Sequence, residues 1–365
     1  MKNELLYKIA ITKVPKVGPI TTKNLVSYCG GARNVFEATQ KELIQIPGIG
    51  RTLAENIRNH NILEEAEKEL EYIKANKIQC LFYTDDKYPQ RLKHYNDSPA
   101  LLYFKGNAEL NHHRIVSIIG TRTPSAHGKA ICEEIVEELK AYNVLIVSGL
   151  AYGIDVTAHR KSVLMKIPTV GVLGNGFGTI YPYEHRKVSD EMIENGGILT
   201  EYTHLQGPDR EHFPMRNRIV AGMCDALIIV ETKKKGGSMI TAELANGYNK
   251  DVFAIPGRAR DKRFGGCNFL IKNHKALLVE SAEDIINTMR WEQFEKNKNI
   301  QKQLFVELSG KEQSVVDILK SENEVSIDKI SYTAQMQPSE VSSLLLELEF
   351  KGLVKTLPGK RYMLI

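Results

Sequence analysis

Between Arg114 and Ile255 short apolar runs alternate with helix-length stretches, and this alternation most narrows what the chain can become. The apolar runs are Ile115–Ile119, Val144–Val147, Thr169–Val172, Ile198-Leu199, Ala226–Val230 and Val252–Ile255. The intervening stretches Ala130–Tyr142, Val156–Met165, Glu184–Asn195, Asn217–Met223 and Ile240–Asn249 have helical length and composition. Strands that are apolar throughout must be covered on both faces, which is the condition of a parallel sheet flanked by helices. The expected core is a Rossmann-like parallel α/β sheet.

In such a sheet, ligands bind where loops leave the carboxyl ends of the strands. Five of these loops are rich in glycine and small polar residues: Gly120-Thr121-Arg122 through Gly128, Ser148-Gly149 through Gly153-Ile154-Asp155, Gly174 through Gly178, Phe213 through Arg218, and Lys233 through Ser238. Backbone amides at helix starts, together with Arg122, Arg216, Arg218 and Lys235, suit phosphate groups. A dinucleotide enzyme calls for GxGxxG after the first strand and an acidic residue ending the second; neither is present. Gly128-Lys129-Ala130 lacks both the upstream spacing and the hydroxyl of a P-loop, and the strand ends lack the clustered carboxylates of a nuclease. The expectation is a phosphate binder with no catalytic residue, no metal and no cofactor.

The flanks have other compositions. Residues 1–70 read as a helical domain, with glycine turns at Val17-Gly18-Pro19-Ile20 and Ile46-Pro47-Gly48-Ile49-Gly50. The second has the pattern of a helix-hairpin-helix turn, whose amides can meet a phosphate, and it reads equally as a plain helical turn. The acidic run Glu64, Glu65, Glu67, Glu69, Glu71 reads as a solvated helix face. Residues 71–290 form the sheet domain, with apolar stretches at 81–83 and 99–104 edging onto it. Residues 291–305 read as a linker. Residues 306–365 read as three helices and a terminal hairpin, a winged-helix domain. This tail carries seven basic and nine acidic residues, so a chain of net charge +5 holds +7 in residues 1–305. A polyanion should prefer the body. The expected reading helix, Ser339–Phe350, has Glu340, Glu347 and Glu349 and no Lys or Arg, which sets it against a DNA groove and favours protein contact.

Cys29, Cys80, Cys132, Cys224 and Cys267 form no CxxC pair, and no histidine pair has metal-ligand spacing, so reduced buried thiols are expected. No apolar run is long enough to span a membrane, and the first residues lack a signal-peptide core, which makes the cytoplasm the expected compartment.

Several segments together resemble the bacterial DNA-processing protein A (Smf) family of recombination mediators. They are Ile119–Arg122, Ser148–Asp155, Phe213–Gly222, Lys235–Glu243 and Ile255-Pro256-Gly257, collinear over roughly 80–290. The resemblance implies single-stranded DNA in the pocket, a homodimer formed through the Rossmann-like domain, and loading of a RecA-type recombinase during natural transformation. It implies a DNA-binding set of Gly120, Thr121, Arg122, Ser148, Gly149, Gly153, Gly176, Phe177, Arg186, Lys187, Arg216, Asn217, Arg218, Lys235, Gly236, Gly237 and Ser238. Arg122 would clamp a phosphate, and Gly149 and Gly153 would permit close approach. After Tyr181-Pro182 the family often has a basic residue; here Tyr183 stands, and it would stack on a base instead.

Plainer readings stand beside these. Arg216 and Arg218 could pair with Asp225 or Glu231, Asp155 could cap its helix, and His159 and Phe177 could simply fill space. The basic residues within 250–275 could extend a DNA track or only solubilise a face. Two other functions are open. One is a nucleoside-monophosphate phosphoribohydrolase using Glu243 and Arg216; the other is a double-stranded-DNA regulator acting through the winged helix.

Overall fold

The computed structural model describes residues 4–59, 61–293, 308–321, 325–351, 353–357 and 361–364. Two units emerge, dividing near residue 294. The linker expected at 291–305 falls almost wholly outside the described residues.

The first unit is built on nine strands: β1 (Gln79–Phe82), β2 (Leu101–Gly106), β3 (Ile115–Ile119), β4 (Leu145–Ser148), β5 (Thr169–Val172), β6 (Gly196–Thr200), β7 (Ala226–Ile229), β8 (Asp251–Ala254) and β9 (Leu277–Leu278). They lie in the order β1-β2-β6-β5-β4-β3-β7-β8-β9. The pairings from β6 across to β9 are parallel. The six apolar runs thus become the six central strands, because every residue of β3, β4, β5, β6 and β7 is buried between helix layers.

Two elements go beyond the sequence reading. The stretches at 81–83 and 99–104 are antiparallel strands that add to β6, with Tyr103 opposite Thr200 and Cys80 opposite Tyr103. Their outer face carries the helical region: Phe82, Leu101 and Tyr103 share a core with Leu6, Ile9, Leu25, Leu43 and Ile57. The helical residues and the sheet are therefore continuous in packing. Glu69, expected on a solvated face, is only 3% exposed. Its carboxylate accepts the His204 backbone amide at 3.0 Å and meets His204 Nδ1 at 2.6 Å, which pins the loop after β6 to helix Asn61–Ala75.

In the helical region, Gly50 caps helix Arg51–Ile57 and Gly48 has φ +84°, so the Pro47-Gly48-Ile49-Gly50 segment does form a turn between two helices. In the second unit, helices Gly310–Ser321, Ile327–Ala334 and Pro338–Phe350 enclose Val315, Leu319, Ile330, Val341, Leu345 and Leu348. Strands Val325–Ser326, Val354–Leu357 and Arg361–Leu364 complete a winged helix, while the Pro358-Gly359 turn and Lys360 lie outside the described residues. Among the described residues no helix is long and apolar enough to cross a membrane.

Candidate nucleic-acid interface

The chain direction across the sheet reverses between β3 and β7, since β4, β5 and β6 extend to one side and β8 and β9 to the other. A crevice opens at that switch point, as the topology demands. Its volume is about 590 Å³. It is lined by Gly120, Thr121 and Arg122 after β3, Gly149 after β4, and Lys235, Gly236, Gly237 and Ser238 after β7. Arg216 and Asn217 close it from a fourth direction. Ten of the expected residues are thereby brought together.

Close packing of backbone holds the loops. Gly153 has φ +84°, and a Cβ there would lie 2.1 Å from the Thr121 carbonyl oxygen, so the first two loops meet only because the residue is glycine. Thr121 in turn donates its amide to the Glu231 carbonyl at 2.6 Å. The Glu231 carboxylate accepts from the Ser125 amide at 3.0 Å and the Ser125 hydroxyl at 2.8 Å; it anchors the start of helix Ala126–Leu139 and is no ion-pair partner of Arg216. Ser148 is buried, donating to the Ile118 carbonyl at 2.5 Å, and supports the site from beneath. Helices Ile154–Met165 and Gly237–Gly247 start at Gly153 and Gly236 without side-chain caps, and backbone carbonyls take the amides of Ile154 (Thr121, 3.2 Å), Val156 (Ala151, 3.2 Å) and Met239 (Gly236, 3.1 Å).

Arg216 is the floor. It is 5% exposed, donates to the Val172 carbonyl, and lies so near Gly149 that a Cβ there would be 2.3 Å from Nη1. Burial lowers its pKa; the Asp155 carboxylate opposes that and Arg122 adds to it. Burial likewise raises the Asp155 pKa, against the pull of Arg216 and of the Ala151 and Gly149 amides. Asp155 thus binds the preceding loop instead of acting as a simple cap. Above the floor, Arg122 is exposed and its guanidinium lies 5.6 Å from the Phe213 ring centroid.

Arg218 departs from the expectation. Helix His212–Met223 begins five residues before the expected start at Asn217. On a helix, side chains two apart point about 200° away from each other, so Arg216 and Arg218 cannot share one wall. Arg218 instead holds Glu201 through two hydrogen bonds of 2.5 and 2.6 Å and donates to the Asp97 carbonyl at 2.8 Å. The ion-pair alternative is right in kind for Arg218, but Asp225 belongs to Arg91 at 2.7 Å.

Five more expected residues lie outside the crevice. The Gly176 amide donates to the Gln206 carbonyl at 2.8 Å, and Phe177 packs against the helical region. Tyr183, Arg186 and Lys187 stand on the far side of the Tyr181-Pro182 segment. Glu243 pairs with Lys275 at 2.7 Å and does not line the crevice, so it cannot join Arg216 there for glycosidic cleavage. His159 is fully buried, as a space-filling residue would be.

Among the lining residues left unassigned from sequence are Tyr181, Arg210, Phe213 and Lys233. Phe213 and Lys233 sit inside segments already marked as loops, so their place was readable. Arg210 follows Gly207-Pro208-Asp209, an irregular stretch with no periodic signal.

The fold agrees with comparisons to known proteins. The family model for DNA recombination-mediator protein A matches residues 79–290, flanked by a SAM-like helix-hairpin-helix tandem at 9–60 and a DprA winged-helix domain at 303–360. Protein Smf of Synechocystis is 30% identical, the match covering 99% of this chain and 98% of that protein. DNA processing protein DprA of Bacillus subtilis is 40% identical over 58% of this chain and 71% of its own. The crystal structure of DNA processing protein A from Streptococcus pneumoniae superposes with a TM-score of 0.68 at 30% identity, covering 79% of this chain and 98% of that one. The Helicobacter pylori protein, studied for its single-stranded DNA binding mode, superposes with a TM-score of 0.54 at 30% identity over 59% of this chain and 98% of its own. With the family model spanning more than half of its length and a relative matched almost end to end, the chain belongs to the DNA recombination-mediator protein A family.

Proposed function

We propose that the switch-point crevice binds the sugar-phosphate backbone of single-stranded DNA, which the protein protects and passes to a RecA-type recombinase without catalysing a reaction on it. The observation that carries this is the charge inside one cavity: Arg122, Arg210, Arg216, Lys233 and Lys235 against the single carboxylate of Asp155. Tyr181 and Phe213 offer ring faces to bases. The single-stranded DNA binding described for the Helicobacter pylori relative supports the same reading. Self-association through the sheet domain is supported by its open edge, where Leu277 and Leu278 of β9 are 49% and 51% exposed.

The test is binding of an oligothymidylate and a matched duplex across salt concentration. Phosphate contacts make affinity fall steeply with salt, with little dependence on sequence. Arg122→Ala is expected to weaken single-strand binding about tenfold or more and to flatten the salt slope by about one contact. Unchanged affinity would remove the crevice as the site. Release of free base from adenosine monophosphate by the purified protein would instead revive phosphoribohydrolase chemistry.

A further inference from the structure

Of the five cations that line the crevice, Arg210 is the one contributed by the loop after β6. Residues 205–211 of that loop are exposed, and Arg210 has no hydrogen bond or ion pair among the described residues. The loop is held at its two ends. Near its start it packs on the loop after β5, where a Cβ at Gly176 would lie 1.8 Å from the Thr203 carbonyl oxygen. The Gly176 amide donates to the Gln206 carbonyl at 2.8 Å, and the Gly178 amide to the His204 carbonyl at 3.1 Å. At its far end the Asp209 carboxylate accepts the Glu211 amide at 2.8 Å, and Tyr202 stacks on His212 at 4.1 Å.

The tie to the helical region is a single residue. Both oxygens of the buried Glu69 carboxylate go to His204, one to its backbone amide and the other to Nδ1. Tyr72, one turn along the same helix, stacks on the His204 ring at 4.0 Å. The buried face of helix Asn61–Ala75 is otherwise apolar, made by Ile62, Ala66, Leu70 and Ile73. An apolar side chain at 69 would serve packing, whereas a carboxylate costs desolvation there. What the carboxylate supplies is a fixed place for His204.

We propose that Glu69 is a positioning residue for the crevice: by fixing the loop after β6 at His204, it holds Arg210 in place before a phosphate arrives. A loop ordered in advance loses less freedom on binding. The helical region thereby acts on the crevice without touching the strand. The proposal rests on the reading of the crevice as the single-strand site.

Full-length wild type, Glu69→Ala, Arg210→Ala and the double variant are titrated with an oligothymidylate of about 20 nucleotides across salt concentration, with melting curves to confirm folding. Arg210→Ala is expected to cost about three- to tenfold in affinity and to flatten the salt slope by about one contact. Glu69→Ala should show the same two changes although Glu69 does not line the crevice, and the double variant should lose no more than either alone. Combined with Arg122→Ala, by contrast, the Glu69→Ala loss should multiply. A loss that also multiplies with Arg210→Ala signals general loosening and overturns the proposal. Wild-type binding by Glu69→Ala or by Arg210→Ala, beside a loss in Arg122→Ala, overturns it and leaves the crevice as the site. If Arg122→Ala changes nothing, the crevice reading falls and takes the positioning role with it. Should Glu69→Ala not fold, Glu69→Gln runs the same cycle, since it keeps an oxygen for the His204 amide. Its loss, about twofold to threefold, should vanish on the Arg210→Ala background. A loss that persists there, or no loss at all, overturns the proposal.

Discussion

Gly149 and Arg216 show how far single residues control the crevice. The guanidinium is brought into a buried position because the facing residue has no side chain, and a Cβ at 149 would overlap it. Burying that charge is costly, and Asp155 and the Val172 carbonyl offset the cost. His159 shows the opposite solution, a buried titratable group kept neutral. It meets Thr169 Oγ1 at 2.7 Å, and burial, with His185 and Arg216 adding to it, pulls its pKa down to about 3. The unfolded chain takes up this proton near pH 6.5 and the folded one does not, so stability present above that pH is lost as pH falls toward 3. Between pH 7 and 4.5 the stability advantage of wild type over His159→Gln should therefore shrink by about 2–3 kcal/mol, read by urea unfolding at both pH values. A constant difference would mean that the folded protein protonates His159 freely.

At the level of the element, helix His212–Met223 decides which arginine does what. Its early start turns Arg216 inward to the crevice and Arg218 toward Glu201, on a different side of the helix. The Arg218–Glu201 pair has side chains 6% and 13% exposed and ties the helix to the end of β6. Removing one partner strands a buried charge, so Glu201→Ala should destabilise the first unit by about 3–5 kcal/mol. Arg218→Met should leave the single-strand affinity of the folded protein unchanged. A binding defect in Arg218→Met at full stability would return that residue to the interface. The Phe213–Arg218 segment was legible as a site, but its helical geometry was not. Pro214 and the flanking polar residues look like a loop, and proline is compatible with the first turn of a helix.

Across the whole molecule, charge and exposed apolar surface separate two kinds of contact. The winged helix has its own core, and Leu346 and Phe350 on helix Pro338–Phe350 are 54% and 84% exposed beside Glu347 and Glu349. A chain ending at residue 293 should then hold single strands as tightly as the full protein, by side-by-side titration. A loss beyond about threefold would bring the tail into the DNA site. At the sheet edge, Leu277→Asp with Leu278→Asp should abolish the proposed self-association, read by light scattering beside wild type, while the fold persists; a variant with the same mass as wild type would remove this edge from the proposal. The sequence by itself determined the six central strands, the winged helix and the glycine loops at the strand ends. Local periodicity and turn chemistry carry those, and chain topology then leaves only a few places for a crevice. Only the tertiary structure decided that Arg218 is structural, that Glu69 is buried against His204, and that Phe177, Tyr183 and Arg186 face a second cavity. Those roles depend on which helix face meets which strand end, and residues far apart in the chain, such as Glu69 and His204, settle that between them.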